Sequence, residues 1–548
     1  MTAVSPSPII AGMKILSAAQ MREVDRLTTE RFGIPSLLLM EAAASRTVEA
    51  VETRFGNISH KSVLIACGRG NNGGDGAAIG RQLHAKGAHV RLLLLGRVAD
   101  SGGDALRNFE LARTLASVDD SRFKFVEIES AERFLLEARS QRFDIVVDAI
   151  FGTGLARPAS GLFEAAIECL NELGSGVPVI SVDVPSGASS DSPGLIGPTV
   201  KACLTVTFTS PKLANVLPPA SDFCGELVVA QIGSPDQLIE CSGSQLSLID
   251  GAMVESWLAD SRRSPNANKG DVGKVLAIAG SRGKTGAACL LGEAALRAGC
   301  GLVTVATPKS CQPVLAARVV PECMTEALEE TASGSVAQEG LDFAMAAAEQ
   351  RDVVAVGPGL GSQEESTREF VRSIVALRQR PMVLDADALN GLAPWPADLR
   401  GSTELPLILT PHPGEMARLV GKPIAKVVQE RIDLAREFAA KHAVILVLKG
   451  SRTLIAAPDG HILVNPTGNA GMATGGSGDV LTGIIAGLLA QKTDDPIRAT
   501  VAAVYLHGMA GDIAATKVGT RAMIASDISA CLGDAFVRVG GDQERLIN

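Results

Sequence analysis

NPTGNAGMATGGSGDVLTG, residues 465–483, is the most informative stretch of this 548-residue chain. It places one carboxylate, Asp479, directly after a glycine cluster and before an apolar run from Val480 to Ala490. Glycines allow a tight turn that brings backbone N–H groups to one point, and the apolar run predicts a buried helix whose N-terminus favours anions. Asp479 is therefore predicted to accept a proton from a hydroxyl beside a phosphate. The alternative is a glycine-rich turn that an aspartate caps.

The composition excludes several classes of protein. The chain is 46% hydrophobic and 20% charged, which is globular, and its net charge is −9 with scattered lysines and arginines. These values argue against a general binder of nucleic acid or of anionic membranes. With 2 Trp and 1 Tyr, the chain also lacks aromatic platforms for single strands.

The cysteines and the apolar runs predict the compartment. The 10 cysteines form neither a CxxC pair nor a zinc spacing, so a reducing environment fits best. The first residues, MTAVSPSPIIAG, lack the pattern of a signal peptide. Since no apolar run has the length of a transmembrane helix, we expect a cytoplasmic protein without a membrane partner.

Short β-rich runs alternate with helical stretches through both halves. The predicted strands are 62–67, 90–95, 144–147, 177–182, 204–208 and 227–231, and then 275–279, 302–306, 353–356, 381–384, 407–409 and 444–448. Continuous apolar strands separated by helices predict parallel sheets covered on both faces. The chain is therefore predicted to form two tandem three-layer α/β sandwiches, with domains at residues 1–240 and 241–548.

A glycine-rich loop follows the first of these strands. Gly68, Gly70 and Gly73 satisfy GxGxxG, and the segment from Ala77 to Lys86 is predicted to be helical. This is the arrangement of a pyrophosphate cradle. The standard dinucleotide pattern expects an acid at the end of the next strand, where Gly96 and Arg97 stand instead. The motif alone is therefore weak evidence for an NAD domain.

Two further strands of the first half end in carboxylates, Asp148 and Asp183. Because ligands of open α/β sheets gather at the carboxyl ends of the strands, these loops and the glycine loop are predicted to converge. Asn72, Asp148 and Ser186 would offer only oxygen ligands, which suit an alkali or alkaline-earth cation. The alternative is that each aspartate caps a turn or a helix.

The motifs CGRGNNGGDG, VVDAIFGTGLARP and SVDVPSG, with KILSAAQMREVDRLTTERFGIPSLLLMEAA before them, resemble the NAD(P)H-hydrate epimerase domain. The resemblance covers about residues 13–235 and implies a Rossmann-like fold that interconverts the R and S forms of hydrated NADH or NADPH (NADHX and NADPHX) at C6 of the nicotinamide ring. It implies catalysis by Asp183 and a potassium ion held by Asn72, Asp148 and Ser186. The implied substrate contacts are Asn71, Asn72, Gly73, Gly74, Asp75, Gly152, Thr153, Gly154, Leu155, Ala156, Arg157, Pro158 and Asp183.

The second half resembles the ribokinase-like NAD(P)H-hydrate dehydratase through NKGDVGKVLAIAGSRGKTG, VGPGLG, VLDADALN, LTPHPGE, VLKGSRTLI and the opening stretch. A Walker A loop at Gly283 is excluded because Ile278 stands where that motif needs glycine. The resemblance implies Mg²⁺ and ADP or ATP as phosphoryl donor. The implied substrate contacts are Ala287, Gly359, His412 and Asp479, and the implied nucleotide contacts are Lys449, Gly450, Ser451, Arg452, Thr453 and Gly478.

The residue types fit a defined chemistry. A ring hydroxyl is a poor leaving group until it is phosphorylated, and Asp479 would take its proton as the oxygen attacks the terminal phosphoryl group. His412 lies between Pro411 and Pro413 and is alternatively a loop histidine bonded to the backbone. Asp385 and Asp387 orient magnesium or cap a helix, and they stay unassigned.

Two other functions remain open at this stage. The second half is alternatively a kinase for a vitamin precursor or another small molecule, which would release a stable phosphorylated product. The first half is alternatively a Rossmann-like binding module without chemistry. The residues do not decide between ADP and ATP or between NADHX and NADPHX, and a homo-oligomer is expected only because such domains commonly associate.

Overall fold

The computed structural model describes residues 12–155 and 157–540, so the predicted contact Ala156 lies outside the described residues. Two compact units divide the chain between Ser244 and Gln245, four residues from the boundary proposed from the sequence. In the described ranges, none of the helices is both long and apolar enough to cross a membrane.

The unit of residues 13–244 contains β1–β8 and α1–α8. Its strands are β1 Met13–Lys14, β2 Ser62–Cys67, β3 His89–Leu95, β4 Phe123–Ile128, β5 Ile145–Ala149, β6 Val179–Val182, β7 Leu204–Phe208 and β8 Glu226–Ala230. Its helices are α1 Ala18–Phe32, α2 Ser36–Phe55, α3 Asn71–Ala85, α4 Gly103–Val118, α5 Ala131–Ala138, α6 Leu162–Leu173, α7 Leu213–Val216 and α8 Asp236–Glu240.

The sheet of this unit has the order β4-β3-β2-β5-β6-β7-β8, and each of these neighbouring pairs is parallel. Ile65 of β2 lies between Leu92 and Val147, and all three side chains are buried between sheet and helices. The strand order reverses direction at β2 and β5, and a ligand crevice is expected where an open parallel sheet does this. The predicted convergence of the loops after β2, β5 and β6 is confirmed.

The unit of residues 245–540 contains β9–β18 and α9–α21. Its strands are β9 Leu246–Leu248, β10 Lys274–Ile278, β11 Leu302–Pro308, β12 Met324–Leu328, β13 Val353–Val356, β14 Met382–Leu384, β15 Leu407–Leu409, β16 Ile445–Leu448, β17 Leu454–Ala456 and β18 Ile462–Val464. Its helices are α9 Gly251–Asp260, α10 Thr285–Arg297, α11 Gln312–Ala316, α12 Leu341–Glu349, α13 Glu365–Ala376, α14 Asp387–Gly391, α15 Pro413–Val420, α16 Ile424–Gln429, α17 Arg431–His442, α18 Ser477–Gln491, α19 Pro496–Val518, α20 Ala525–Ala530 and α21 Leu532–Val539.

In this second unit the strands follow the order β9-β18-β17-β16-β15-β14-β13-β10-β11-β12. The pairs from β16 to β12 are parallel, as predicted. The expectation of a wholly parallel sheet is wrong at β16-β17-β18, which pair antiparallel. The parallel part brings the carboxyl ends of β10, β13, β14, β15 and β16 to one edge, where the motifs of this half lie.

Helix α3 begins at Asn71, six residues before the predicted start at Ala77. The additional turn of α3 is accommodated because its glycines let the helix approach the sheet closely. A Cβ on Gly73 would lie 1.8 Å from the carbonyl oxygen of Gly68, and one on Gly76 would lie 2.6 Å from Cβ of Ala149. The first turn of α3 is thereby pressed against the ends of β2 and β5.

Helix α18 is the buried helix predicted from residues 480–490. It packs on α10 through glycine, since a Cβ on Gly483 would lie 2.3 Å from the carbonyl oxygen of Leu291. Gly476 takes the left-handed conformation at the N-cap, with φ 90°. The helix therefore starts at a fixed place, and Asp479 lies in its first turn.

Candidate active sites

A cavity of about 910 Å³ lies at the carboxyl ends of β2, β5 and β6 in the first unit. Most of the predicted substrate contacts line it: Asn71, Asn72, Asp75, Gly152, Thr153, Gly154, Leu155, Arg157, Pro158 and Asp183. Gly73 and Gly74 are not among the described lining residues, because they pack against Gly68 and Ala105. The three loops that the sequence analysis identified, after β2, β5 and β6, therefore line one cavity.

Asp183 is held rigidly at the wall of this cavity. Its backbone has φ 67°, a conformation that is costly for a residue other than glycine. Its N–H donates to the carbonyl of Val206 at 2.7 Å, and its own carbonyl accepts from Nδ2 of Asn215 at 3.1 Å. Such strain at a ligand-facing carboxylate is typical of a functional site.

Lys212 is the counter-charge of Asp183, and the sequence analysis missed it. This lysine is 1% exposed, and its Nζ donates to Oδ1 of Asp183 at 2.5 Å. It also donates to Oγ1 of Thr207 at 2.9 Å and to the carbonyl of Phe208 at 3.1 Å, so each of its three N–H groups has an acceptor. The available signal was a lone lysine just after the buried strand β7. Lys212 thus neutralises and orients Asp183.

Two further carboxyl groups of the cavity hold protons more tightly than usual. Burial, with the charges of Asp183 and Asp25, raises the pKa of Asp75 well above its ordinary value, although Lys212 opposes this. Burial raises the pKa of Asp25 to about 6, against the attraction of Lys212. Lys212 therefore faces three carboxyl groups, and burial disfavours the ionised forms of Asp25 and Asp75.

The predicted cation ligands Asp148 and Ser186 lie together below the cavity. Oδ1 of Asp148 accepts from Oγ of Ser186 at 2.5 Å, and Oδ2 accepts from the N–H of Ser186 at 2.9 Å and from Oγ of Ser181 at 2.8 Å. Burial raises the pKa of Asp148, against these hydrogen bonds. Nδ2 of the third predicted ligand, Asn72, is buried without a hydrogen-bond partner in the described residues.

These contacts allow a test of whether a potassium ion fits. The donor set is all oxygen, as an alkali cation prefers, and a nearby positive charge would offset the burial of Asp148. The same hydrogen bonds also support the structural alternative, in which Asp148 fixes the turn at Ser186. The residues present are therefore compatible with a bound alkali cation.

In the second unit, Asp479 lies where a base is expected. Burial and the neighbouring charge of Asp385 raise the pKa of Asp479 to about 6, although Lys449 opposes this. It is the third residue of α18, so the backbone N–H groups of the first helical turn lie beside it. A carboxylate with a pKa near neutrality can both take and return a proton.

Lys449 is tied to buried carboxylates rather than to solvent. Its Nζ donates to Oδ1 of Asp385 at 2.7 Å and lies 3.9 Å from Oε2 of Glu415. Oδ2 of Asp385 accepts from Oγ1 of Thr482 at 2.9 Å. Burial alone would lower the pKa of Lys449, but Asp385, Glu415 and Asp479 raise it. A Cβ on Gly478 would lie 3.2 Å from Nζ of Lys449, so the ammonium faces the start of α18.

Asp387, the second unassigned acid, ties three loops together. Its Oδ2 accepts from the N–H of Gly361 at 2.8 Å and lies 3.4 Å from Nζ of Lys284, and its Oδ1 accepts from Oγ of Ser362 at 3.1 Å. Burial opposes its ionisation, but these partners lower the pKa of Asp387. The predicted contacts Ala287 and Gly359 are neighbours in space, since a Cβ on Gly359 would lie 3.1 Å from Cβ of Ala287.

His412 caps a helix, which was the structural alternative for this residue. Its Nδ1 accepts from the N–H groups of Gly414 at 3.0 Å and Glu415 at 3.3 Å at the start of α15. Burial and the charge of Lys449 lower the pKa of His412, which keeps Nδ1 an acceptor. Its Nε2 lies 3.3 Å from Oε1 of Glu415, but the side chain is 51% exposed, so part of the ring remains accessible to a ligand.

The predicted nucleotide loop, residues 449–453, follows β16. Arg431 of α17 donates to the carbonyls of Ser451 at 3.0 Å and Arg452 at 2.7 Å. The hydroxyl of Thr453 donates to the carbonyl of Gly450 at 3.1 Å. Sequence analysis missed Arg431 because it is 18 or more residues away from the loop it supports. The loop is ordered by these bonds, and its nucleotide contacts stay a prediction.

His507 is a second buried group that no motif marks. Its Nε2 lies 3.0 Å from the carbonyl oxygen of Ser477 and 3.4 Å from its hydroxyl, and burial lowers the pKa of His507 to about 4. A neutral histidine therefore supports the first residue of α18.

In the part of the chain that the structure describes, no group of three or more His, Cys, Asp or Glu forms a cage that could hold magnesium. Asp385 and Asp387 are occupied by the hydrogen bonds given above. Mg²⁺ commonly binds through substrate phosphates with one or two carboxylates, so the site fits an ion that arrives with a nucleotide.

Comparison with protein families matches both units. The family described as YjeF-related protein N-terminus matches residues 36–214, and the family described as NAD(P)H-hydrate dehydratase matches residues 275–533. The ADP/ATP-dependent NAD(P)H-hydrate dehydratase of Bacillus subtilis, co-crystallized with ATP/Mg²⁺, is 34% identical, with a TM-score of 0.47. That comparison covers 53% of this chain and 98% of the B. subtilis chain.

Two relatives match nearly the full length. The bifunctional NAD(P)H-hydrate repair enzyme of Moorella thermoacetica is 44% identical over 517 residues, which are 94% of this chain and 95% of that protein. The enzyme of the same description from Escherichia coli is 33% identical over 530 residues, 96% and 94% of the two chains. The chain therefore belongs to the family of bifunctional NAD(P)H-hydrate repair enzymes.

Proposed function

We propose that this chain repairs hydrated NADH and NADPH in two steps. The unit of residues 13–244 interconverts the R and S forms at C6 of the hydrated ring, and the unit of residues 245–540 dehydrates the S form with consumption of a nucleotide. The observation that carries the second activity is Asp479, a carboxylate with a raised pKa at the start of a buried helix beside Lys449. Family membership supports the pairing of the two activities.

The dehydration follows from the residues around Asp479. Its carboxylate takes the proton of the C6 hydroxyl as that oxygen forms a bond to the terminal phosphorus of the nucleotide, and the bond from phosphorus to the leaving phosphate breaks. The N–H groups at the start of α18 and the ammonium of Lys449 stabilise the charge that develops. The nitrogen lone pair of the ring then expels the new phosphate, and loss of a proton from C5 restores the reduced nicotinamide.

The nucleotide is proposed to lie on the loop of Lys449, Gly450, Ser451, Arg452 and Thr453 and against Gly478, with Mg²⁺ bound through its phosphates. The support is the order that Arg431 gives to this loop and the 34% identity to an enzyme co-crystallized with ATP/Mg²⁺. Ala287, Gly359 and His412 are proposed to contact the hydrated cofactor.

For the first unit, Asp183 is proposed to act as the base in the cavity, and K⁺ to bind beside Asn72, Asp148 and Ser186. The buried carboxylate of Asp148 and the all-oxygen donor set support the cation. Epimerisation in potassium should exceed that in tetramethylammonium at equal ionic strength. Equal rates in the two salts would remove K⁺ from the proposal and leave the turn at Ser186 purely structural.

The function is tested by absorbance of the reduced nicotinamide, with a mixture of both NADHX epimers and with ADP or ATP in parallel. Recovery of NADH from both epimers with one nucleotide supports both activities and names the donor. Recovery that stops at the S fraction refutes the epimerase assignment alone. A stable phosphorylated product without NADH would favour a small-molecule kinase.

A further inference from the structure

Asp25 lies in the wall of the first cavity, far in sequence from the other polar loops. It belongs to α1, whose buried face is formed by Ala18, Met21, Val24 and Thr28. Within the described residues, Oδ1 of Asp25 is buried and has no hydrogen-bond partner. A buried carboxylate oxygen without a partner is costly, so its place in a ligand cavity calls for a functional explanation.

Helix α1 is anchored to the elements that hold Asp183. The N–H of Ala18 donates to Oδ1 of Asp191 at 2.6 Å, and the N–H of Leu16 donates to the carbonyl of Pro211, the residue before Lys212, at 3.0 Å. The start of α1 is therefore fixed to the segments that follow β6 and β7. Asp25 keeps a defined position toward the Asp183–Lys212 pair.

The charges that face Asp25 come from several elements. Asp183 and Asp75 repel its ionised form and Lys212 attracts it. Other charged residues that line the same cavity are Arg22, Arg69, Asp104 and Arg157. The net result, with burial as the largest cause, is a pKa of about 6 for Asp25, whereas the pKa of Asp75 is raised well above its ordinary value. Asp25 is the carboxyl group that can exchange a proton near neutral pH.

The proposed reaction needs an acid and a base. In the hydrated ring, C6 carries a hydroxyl group and is bonded to the ring nitrogen, so the hydroxyl leaves as water once it is protonated. The nitrogen lone pair then forms a C=N bond, and C6 becomes planar. Addition of water to the other face, with loss of a proton to a base, gives the opposite epimer.

We propose that Asp25 is the acid of this reaction, which protonates the departing hydroxyl at C6, while Asp183 takes a proton from the incoming water. The C6–O bond breaks with both electrons on oxygen, and the new C6–O bond returns the C=N electrons to nitrogen. A proton moves from Asp183 back to Asp25 through water to complete the cycle, so atoms and charge balance. The inference rests on the epimerase activity proposed above.

The test is Asp25→Asn, a change that keeps the shape and removes the transferable proton. Epimerisation of pure R-NADHX is followed by chromatography, with Glu23→Gln as the matched control, since Glu23 lies on the solvent side of α1 and pairs with Arg26. We expect kcat to fall about 10²-fold or more with little change in KM, and Glu23→Gln to match the wild type. Unchanged dehydration shows that the second unit is folded, and a wild-type circular dichroism spectrum and urea transition show that the first unit is folded.

The pH profile separates an acid from a residue that only shapes the cavity. The neutral form of Asp25 is the active one, so wild-type kcat/KM should fall as pH rises through about 6. Asp25→Asn should lose this limb, and Asp25→Glu should restore part of the rate and the limb with it. Wild-type rate in Asp25→Asn, or a raised KM with the limb intact, would overturn this inference alone. A wild-type chain without epimerisation would overturn the proposed function together with it.

Discussion

The two proposed catalytic carboxylates meet their lysines in different ways. Lys212 contacts Asp183 directly at 2.5 Å and uses its other two N–H groups on Thr207 and Phe208. Lys449 instead contacts Asp385 at 2.7 Å and acts on Asp479 through space. The first carboxylate thus has its Oδ1 in an ion pair, whereas the second has a lysine near it that is bonded to another acid.

The two lysines, Lys212 and Lys449, therefore have different roles. At the first site the lysine is expected to stabilise the fold, because without it a carboxylate with an unfavourable backbone conformation would be buried without its counter-charge. At the second site Asp385 already balances the lysine, so Lys449 tunes the proton affinity of Asp479. We therefore expect changes at Lys212 to act on stability and changes at Lys449 to act on the pH dependence.

Asp479→Asn should give the largest loss of activity. Removal of the base is expected to lower the dehydration rate about 10²–10⁴-fold, while epimerisation is unchanged because its residues belong to the other unit. Both rates are measured on one sample by absorbance and chromatography. The exposed Asp494→Asn serves as the control in the same unit. Loss of both activities in a folded variant would contradict the independence of the sites.

Lys212→Met should destabilise the first unit by about 3–5 kcal/mol, because it leaves the charge of Asp183 buried without its partner. Unfolding in urea, followed by circular dichroism, measures the change, and epimerisation should be lost with it. Lys124 is an exposed lysine on β4, so Lys124→Met should change the stability by less than about 0.5 kcal/mol. Equal stability of the two variants would show that Asp183 does not depend on Lys212.

The strands show which parts of the fold the sequence predicts and which it does not. Predicted strand bounds agree with the structure within two residues, because the buried parallel strands are continuous apolar runs. β4 (FKFVEI) and β12 (MTEAL) lie at sheet edges and alternate with polar residues, and they were not predicted. The antiparallel strands β17 and β18 were not predicted either.

The candidate active sites likewise contain residues that the sequence predicts and residues that it does not. Asp183 and Asp479 were predictable because each follows a recognisable strand or glycine cluster. Lys212, Asp25, Arg431 and His507 act through contacts between segments distant in sequence, and none lies in a motif that predicts its partner. The positions of the two proposed bases are local information, whereas the residues that hold their charge and orientation are set by the tertiary fold.

Lys449→Met should move the pH dependence of dehydration. The ionised form of Asp479 is the active one, so the wild-type rate should fall as pH drops through about 6. Lys449 lowers the pKa of Asp479, and its removal should therefore shift the midpoint to higher pH. Rates at saturating nucleotide across pH 5–9 measure the shift, with the exposed Lys309→Met as control. An unmoved midpoint with a raised KM for nucleotide would assign Lys449 to binding alone.

The smallest expected effect distinguishes the two roles of His412. His412→Ala removes the cap of α15 and should cost about 1 kcal/mol, whereas His412→Asn supplies a side-chain oxygen for the same N–H groups and should cost a few tenths. Thermal unfolding measures both. If the exposed part of the His412 ring contacts the hydrated cofactor, His412→Asn will raise KM for S-NADHX while it keeps the stability. If KM changes only in the variant whose stability also changes, His412 is only a helix cap. Substrate recognition then depends on Ala287 and Gly359.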